Sequence, residues 1–226
     1  QESEMQRAVN VLTVLALGFT VLTSWWGTTH LSGYHTATFL ALGTLATLAA
    51  RGYTMGWAYG YKGLGDLFVI LFFGPVGVVG SYFLQTQLWD ALMILPGLSV
   101  GLLAASVLNL NNMRDIETDR MAGKRTLAMR MGLPMAKLYQ TILVVEAYTA
   151  ATVFIFLQAE VTCSRSFLYA ATLPLLGEGV YKTWKAKTPG QFDALLKPTA
   201  LQTVLFALLL GIGLLIDANQ CSKPLF

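Results

Sequence analysis

Long apolar stretches separated by short polar ones make up most of the chain. A helix needs about 20 largely apolar residues to cross the hydrocarbon core of a bilayer. Two stretches are short or interrupted, by Gly74-Pro75 and by Pro174; such breaks are tolerated where neighbouring helices or a cavity satisfy the freed backbone groups. The pattern predicts an all-α integral membrane protein with a single transmembrane domain, residues 1–226. The seven predicted spans are 8–28, 35–55, 66–85, 90–110, 138–157, 166–183 and 199–217.

Composition supports this prediction. Of 226 residues, 55% are hydrophobic and 12% are charged, and the mean hydropathy is +0.58. A soluble domain usually carries about 25% charged residues, so a soluble globular protein is excluded. The lipid bilayer is the expected environment, and with a net charge of only +3 no nucleic-acid partner is expected.

The basic residues predict an orientation in the membrane. Thirteen of the fifteen Lys and Arg fall on alternate connections, whereas the opposite connections hold only Arg165 and Lys223. Loops rich in Lys and Arg remain in the cytoplasm, so we expect that side to be cytoplasmic and the C-terminus to be outside. An odd number of spans then places the first residues inside, in agreement with Arg7.

Asn109 to Gly132 is the longest part of the chain without a hydrophobic stretch, and it lies between two predicted spans. On a helical wheel of about 100° per residue, four polar side chains fall close to one stripe, whereas Arg114 and Glu117 point elsewhere. The sequence Gly123-Lys124-Arg125-Thr126 follows soon after. The four side chains of the stripe are Asn109, Asn112, Asp115 and Asp119.

This combination predicts a site for Mg²⁺ and a phosphate group. Mg²⁺ prefers oxygen ligands and commonly bridges carboxylates to a diphosphate, so Asp115 and Asp119 could share one ion, with Asn112 as a further ligand. Cations nearby could neutralise a departing diphosphate. The plain alternative is a solvated loop that follows the positive-inside rule, although polar groups at the end of a span are costly without a task. The cations concerned are Lys124, Arg125 and Arg130.

Two other connections are expected on the same side of the membrane. Arg51–Asp66 is rich in Gly and Tyr and carries Lys62 at the membrane boundary, and Tyr181–Pro198 is basic. Because all three connections face one compartment, we expect them to converge on one site.

Two motifs resemble those of a known family. NNMRDIETDRMAGKRTLAMRMG looks like the second aspartate-rich motif of the UbiA superfamily of membrane prenyltransferases. Its sequence most resembles that of the branch that prenylates 1,4-dihydroxy-2-naphthoate in menaquinone synthesis. GYKGLGDLFVILFFGPVGVVGSYFLQT is similar to another stretch of that branch.

The resemblance implies a larger fold than the seven spans. The family has nine transmembrane helices around a cavity, with two aspartate-rich motifs facing each other across Mg²⁺ and a prenyl diphosphate. Nothing in residues 1–108 matches the first motif, NDxxDxxxD. The seven spans fit helices three to nine, so we expect a member that lacks the first two helices and half of the metal site. The family also implies the bacterial inner membrane, with the active site on the cytoplasmic side.

The resemblance also assigns roles to individual residues. Asp115 and Asp119 would hold Mg²⁺ and the diphosphate, and Asp66 would hold or deprotonate an aromatic acceptor, with Lys62 also in a catalytic position. Side chains expected to contact or adjoin the diphosphate are Asn109, Asn112, Lys124, Arg130, Tyr53 and Lys62.

The implied reaction transfers a polyprenyl group from polyprenyl diphosphate to 1,4-dihydroxy-2-naphthoate, with loss of CO₂ and diphosphate, giving demethylmenaquinone. An alternative is the same chemistry on another acceptor, such as homogentisate or 4-hydroxybenzoate. A more distant alternative is a secondary transporter, which can also show broken spans and intramembrane carboxylates. A transporter predicts inverted repeats and charges near the midplane, whereas no repeat is visible and the polar clusters lie at the ends of the predicted spans.

Overall fold

The computed structural model describes residues 2–158 and 164–220, and every regular element in those ranges is helical. Lys223, which contributed to the predicted orientation, lies outside the described residues. Short 3₁₀-helices occupy Tyr59–Lys62, Ala91–Met93 and Ser164–Thr172, and a π-helical turn occupies Phe72–Val76. The α-helices are α1 Glu2–Gly27, α2 Gly33–Gly52, α3 Gly65–Leu71, α4 Gly77–Thr86, α5 Ile94–Arg114, α6 Ile116–Met121, α7 Leu127–Leu157, α8 Leu173–Lys185 and α9 Pro189–Gln220.

All seven predicted spans are helical, which confirms the all-α membrane architecture. Within residues 2–158 and 164–220, five helical stretches are long and apolar enough to cross a bilayer. The predicted spans 35–55 and 166–183 correspond to α2 and to the 3₁₀-helix leading into α8. The five stretches are Ser3–Gly27, Gly65–Thr86, Ala91–Arg114, Leu127–Leu157 and Pro189–Asp217.

Two helices begin earlier than the hydropathy pattern predicts. The spans were expected to start at residues 138 and 199, but α7 starts at Leu127 and α9 at Pro189. Hydropathy marks only the apolar part of a helix, and both helices continue as polar turns beyond it. Consequently, the expected loop Tyr181–Pro198 shortens to the three residues between α8 and α9.

The break predicted at Gly74-Pro75 is present and sets how closely two helices approach. Gly74 has non-helical backbone angles (φ −90°, ψ −111°). Gly97 and Gly101, four residues apart on α5, face this kinked backbone. A Cβ atom at Gly101 would lie 2.4 Å from the Ile70 carbonyl oxygen and 3.0 Å from Gly74 Cα. Small residues at this spacing let membrane helices pack backbone to backbone.

Helix α5 is the centre of the bundle and packs against α3, α4, α7 and α9. The main core cluster also contains hydroxyl groups: Tyr148 and Thr172 share a hydrogen bond of 2.5 Å, and Gln202 donates to the Tyr148 oxygen at 3.2 Å. These bonds satisfy the polar groups of three different elements inside the apolar core. The core residues are Leu103, Val144, Ala147, Tyr148, Ala151, Phe154, Ile155, Tyr169, Phe206 and Leu210.

A buried carboxylate that sequence reasoning did not single out anchors the start of the long 3₁₀-helix. Asp217, near the end of α9, is fully buried and accepts hydrogen bonds from the Ser166 backbone N–H, at 2.7 Å, and from the Ser166 hydroxyl. A 3₁₀ run of nine residues is uncommon, and this anchor holds it against α9.

Helices α1 and α2 form a pair at the edge of the bundle. They are joined by a hydrogen bond of 2.6 Å between the Thr28 and Thr36 hydroxyls, and Gly43 of α2 packs against Thr20 of α1. The outer surface of α1 is apolar, with Trp26 81% exposed. Such a surface is suited to an apolar environment, either lipid or another helix.

We predict that Gly101→Ala destabilises the bundle and that Gly211→Ala in α9 does not. The Gly101 methyl group would meet backbone atoms that cannot rotate away, whereas nothing lies within 4 Å of a Cβ at Gly211. Overpacking typically costs about 1–3 kcal/mol, while Ala is favoured over Gly in an open helical position. Thermal unfolding midpoints in nanodiscs measure the difference. Equal midpoints for the two variants would show that the α5 contact has room to spare.

Candidate active site at the ends of α5 and α6

The polar stretch 109–132 is helical except at Asp115, at the turn between α6 and α7 (residues 122–126) and at Gly132. Helix α5 ends at Arg114, and Asp115 has non-helical angles (φ −98°, ψ 8°) before α6 begins at Ile116. Backbone hydrogen bonds continue on both sides of it: Asp115 N–H donates to the Asn111 carbonyl at 3.1 Å, and Asp119 N–H donates to the Asp115 carbonyl at 2.8 Å. The one-turn separation of the two aspartates, predicted from the helical wheel, is therefore preserved.

Asp115 is bound by the guanidinium group of its neighbour. Arg114 donates from Nε to Oδ1 and from Nη2 to Oδ2, each at 2.8 Å. These hydrogen bonds lower the pKa of Asp115 below its ordinary value, so the carboxylate is ionised at neutral pH. The expectation that Arg114 points elsewhere is wrong for its guanidinium group, because this long side chain reaches back to the aspartate.

Asp119 has a different cation. It is 4% exposed, and its Oδ1 lies 2.7 Å from Lys124 Nζ. The hydrogen bond from Lys124 to Asp119 raises the pKa of Lys124, which keeps the ammonium group charged. Lys124 Nζ also lies 5.0 Å from the centre of the Tyr61 ring, a cation–π distance. One ammonium group therefore joins α6 to the connection between α2 and α3.

That connection is held against the polar stretch by its own backbone. Arg125 N–H donates to the Tyr61 carbonyl at 2.7 Å, and Arg130 Nη2 donates to the Lys62 carbonyl at 2.8 Å. Gly63, with φ +77°, sits so close that a Cβ atom there would lie 2.8 Å from the Arg125 carbonyl oxygen. The two connections are therefore in contact, as predicted. Lys62 contributes its carbonyl to this contact, and its side chain is exposed.

Tyr53 lies beside the start of α3. A Cβ atom at Gly65 would be 3.1 Å from its hydroxyl oxygen. Burial, followed by the charge of Asp66, raises the pKa of Tyr53, and the charges of Lys124 and Asp119 also act on this hydroxyl. The phenol therefore stays protonated and can donate a hydrogen bond at neutral pH.

Asp66 is buried, with 4% exposure, at the first turn of α3. Within the described part of the chain, its Oδ1 has no hydrogen-bond partner. The Tyr53 and Tyr139 hydroxyls are both within electrostatic range of this carboxyl group. A buried oxygen without a partner is suited to accepting a hydrogen bond from a hydroxyl group of a bound molecule.

The two asparagines are buried on α5. Asn109 Nδ2 donates to the Ala136 carbonyl at 3.0 Å and to Gln140 Oε1 at 2.9 Å. These bonds tie α5 to α7 and leave only the Asn109 carbonyl oxygen available. Asn112, one turn further along α5, is 7% exposed. Because this oxygen accepts hydrogen bonds and does not donate them, the predicted contact of Asn109 with a diphosphate would have to pass through a metal ion or a water molecule.

The third predicted connection reaches the site through α9. Arg114 Nη1 donates to Asp193 Oδ1 at 2.7 Å, which joins the end of α5 to the first turns of α9. An apolar cluster packs α5, α7 and the α8–α9 turn together beneath this ion pair. Its buried members are Leu110, Met113, Ala128, Ala136, Ala186, Phe192 and Leu195.

Sequence reasoning missed Asp193 and the role of Lys137. Asp193 is the single acid between Tyr181 and Pro198, an isolation that could have marked it. Lys137 is 8% exposed, and its Nζ donates to the Trp184 carbonyl at 3.0 Å and to the Ala186 carbonyl at 2.6 Å. It caps the C-terminal end of α8, where the helix dipole favours a cation.

The oxygen ligands at this site are of the type that Mg²⁺ prefers, but they are too few to complete its coordination. Among residues 2–158 and 164–220, no group of three or more His, Cys, Asp or Glu side chains is placed to hold a metal ion. Asp115 and Asp119 present carboxylate oxygens, the ligands that Mg²⁺ prefers. Each already binds a cation from its own chain, so positive charge is stabilised at both positions.

Fold and site together define a membrane-embedded helical bundle with a charged site, rich in aspartate and cations, at one end. The chain belongs to the UbiA prenyltransferase family, whose model matches residues 5–194. No solved structure matches the chain significantly.

Three curated relatives with the same name are similar to most of this chain. The chain is 41% identical over 179 residues to 1,4-dihydroxy-2-naphthoate octaprenyltransferase of Haemophilus influenzae, covering 79% of this chain and 58% of the relative. The protein of the same name from Escherichia coli is 37% identical over 180 residues, with the same coverage. That from Mycobacterium tuberculosis is 35% identical over 171 residues, covering 75% of this chain and 56% of the relative. The chain therefore spans a little over half the length of these relatives.

We predict that Gly63→Ala separates the two connections, whereas Gly56→Ala does not. Both glycines have positive φ, +77° and +64°, so both variants carry the strain of about 1–2 kcal/mol for a non-glycine residue there. Only the methyl group at Gly63 meets the Arg125 carbonyl. The expected result is faster tryptic cleavage after Lys124 in Gly63→Ala than in Gly56→Ala. Equal cleavage rates would contradict the contribution of this contact to docking.

Proposed function

We propose that this protein transfers a polyprenyl group from polyprenyl diphosphate to 1,4-dihydroxy-2-naphthoate, releasing CO₂ and diphosphate and giving the demethylmenaquinone skeleton. The observation that carries the proposal is the pair of aspartates, one turn apart and each bound to a cation, beside the buried Asp66 and Tyr53. The names of the most similar curated relatives agree with it. Since the chain spans 58% of the length of the first of these relatives, the activity of the whole protein is part of this proposal.

Asp115 and Asp119 are the residues of this chain that would hold Mg²⁺. When bound there, Mg²⁺ would supply positive charge against which a diphosphate can leave. Asn112, buried next to them in sequence on α5, would contribute an amide oxygen or orient a water molecule. The facing aspartate-rich motif expected from the family resemblance is not present in residues 1–108, so these residues account for one half of such a site.

The cations of the polar stretch would bind the diphosphate. Lys124 is bonded to Asp119, and with its raised pKa it remains charged. The Arg130 guanidinium group is exposed and uses one nitrogen on the Lys62 carbonyl, which leaves other N–H groups for phosphate oxygens. The exposed Lys62 side chain can add a further charge. Together they would stabilise the negative charge that develops as the carbon–oxygen bond breaks.

Asp66 and Tyr53 would position the acceptor. The unpartnered Asp66 Oδ1 can accept a hydrogen bond, or the proton, from a ring hydroxyl of the naphthoate. Tyr53, kept protonated by its raised pKa, can donate a hydrogen bond to the acceptor or to the diphosphate. The electron-rich ring would then attack the allylic carbon while the apolar helices exclude water from the cation.

The site is proposed to open to the cytoplasm of a bacterium. Its connections carry the cations that the positive-inside rule keeps in that compartment. The prenyl chain of the donor would then extend into the bilayer. The diphosphate of the donor and the carboxylate of the acceptor would both lie on the aqueous side.

Replacing either aspartate should strongly lower the rate of prenyl transfer. We expect Asp115→Asn and Asp119→Asn, made in the protein expressed from its complete gene, to lower turnover at least about 100-fold, the scale for losing one group that stabilises a developing charge. Glu117→Gln is the matched control, because this exposed carboxylate pairs only with Arg120 among its described contacts. Diphosphate release in nanodiscs is the measurement. Turnover in either Asp variant comparable to that of the control would refute the metal assignment.

The acceptor can be tested separately. With one polyprenyl diphosphate, we expect prenylated product from 1,4-dihydroxy-2-naphthoate and at least about tenfold less from homogentisate or 4-hydroxybenzoate, because a second fused ring buries more apolar surface in the site. Product analysis by mass spectrometry distinguishes the three. A preference for either single-ring acid would keep the reaction class and overturn the naphthoate assignment.

A further inference from the structure

Both oxygens of Asp115 are already in use. Arg114 occupies Oδ1 through Nε and Oδ2 through Nη2, at 2.8 Å each. A bidentate guanidinium–carboxylate pair of this kind is among the stronger ionic contacts in proteins. A divalent cation that binds Asp115 must therefore compete with Arg114 for the same two atoms.

The same guanidinium group has two other acceptors within reach. Nη1 donates to Asp193 Oδ1 at 2.7 Å, and Nη2 also donates to Asn111 Oδ1 at 2.6 Å. Arg114 is thus also held by two partners other than Asp115. If Asp115 releases it, Asp193 remains as the one carboxylate already bonded to it.

The backbone at Asp193 is fixed independently of this ion pair. Its neighbour Phe192 is 2% exposed in the apolar cluster below the site. Gln191 Oε1 accepts hydrogen bonds from the Lys187 and Thr188 N–H groups, at 2.7 and 3.1 Å, which fixes the turn before α9. Lys137 holds the Ala186 carbonyl at the same turn. Asp193 therefore presents its carboxylate from a rigid position, although the side chain itself is 63% exposed.

We propose that Asp193 is a positioning residue for the metal site: it retains the Arg114 guanidinium group, so that Asp115 can turn its oxygens to a divalent cation. The inference rests on the proposed role of Asp115 in metal binding. Without Asp193, the full charge of Arg114 falls on Asp115, and competition with the metal increases. Asp193 lies 78 residues beyond Asp115, outside the aspartate-rich motif.

The test is divalent-cation binding to the substrate-free protein, expressed from its complete gene and placed in nanodiscs, with Mn²⁺ as a spectroscopic probe read by electron paramagnetic resonance. We expect Asp193→Asn to weaken Mn²⁺ binding about 3- to 10-fold and Asp193→Glu to restore it. Glu117→Gln, which removes one nearby exposed carboxylate, should leave binding unchanged. An Asp193→Asn protein that binds Mn²⁺ like wild type would overturn the inference.

A second variant separates positioning from a general structural effect. In an Arg114→Gln background the competitor is absent, so adding Asp193→Asn should no longer weaken Mn²⁺ binding. Persistence of the full effect in the double variant would contradict the proposal, because the loss would then not depend on Arg114.

Asp115→Asn separates failure of this inference from failure of the proposed function. If wild type binds Mn²⁺ and Asp115→Asn does not weaken it, the metal assignment of Asp115 is wrong, and the role of Asp193 falls with it. If Asp115→Asn weakens binding while Asp193→Asn does not, the metal assignment stands and only the positioning role is overturned.

Discussion

The close backbone contact between α5 and the kinked segment at Gly74-Pro75 fixes the geometry on which the site depends. Gly97 and Gly101 leave no room for the helices to slide past each other, since even a methyl group at Gly101 would meet the Ile70 carbonyl. This contact therefore fixes the position of α3 along the axis of α5. Asp66 lies in the first turn of α3, and the polar stretch ends α5, so the distance between Asp66 and the polar stretch is set by glycines deep in the bundle.

Charged side chains at the membrane boundary are compensated by partners from the same chain. Arg114 neutralises Asp115, Lys124 neutralises Asp119, and the buried Lys137 is bound by two carbonyl groups. Leaving a charge without a partner in such a place is costly. These pairs compensate the charge of the two neighbouring aspartates from within the chain, and the metal ion and diphosphate proposed for this site would have to compete with them.

Long apolar stretches were sufficient to predict which segments are helical, because length and hydropathy are local properties, but they did not predict where α7 and α9 begin. The helical wheel likewise predicted the one-turn spacing of Asp115 and Asp119, which is preserved across the break in the helix. It could not predict the reach of Arg114 or the contact with Asp193, since both depend on where a long side chain folds back and on packing between residues 79 positions apart. Asp217 escaped notice for the same reason: its partner Ser166 lies in another element. The roles of Asp66, Tyr53 and Lys62 in catalysis stay predictions.

The order of the helices gives this site an order of assembly. Helices α1 and α2 pack on each other through residues close in sequence and can pair as soon as both have entered the bilayer. The aspartates of the polar stretch are synthesised next, while Phe192 and Asp193 follow only with the last helix. A ribosome that stops before residue 189 would release a chain that carries both aspartates. That chain would lack α9, which supplies the Asp193 partner of Arg114. Support of Arg114 by α9 is thus a late event in biosynthesis, and the presence of the two aspartates alone does not report it.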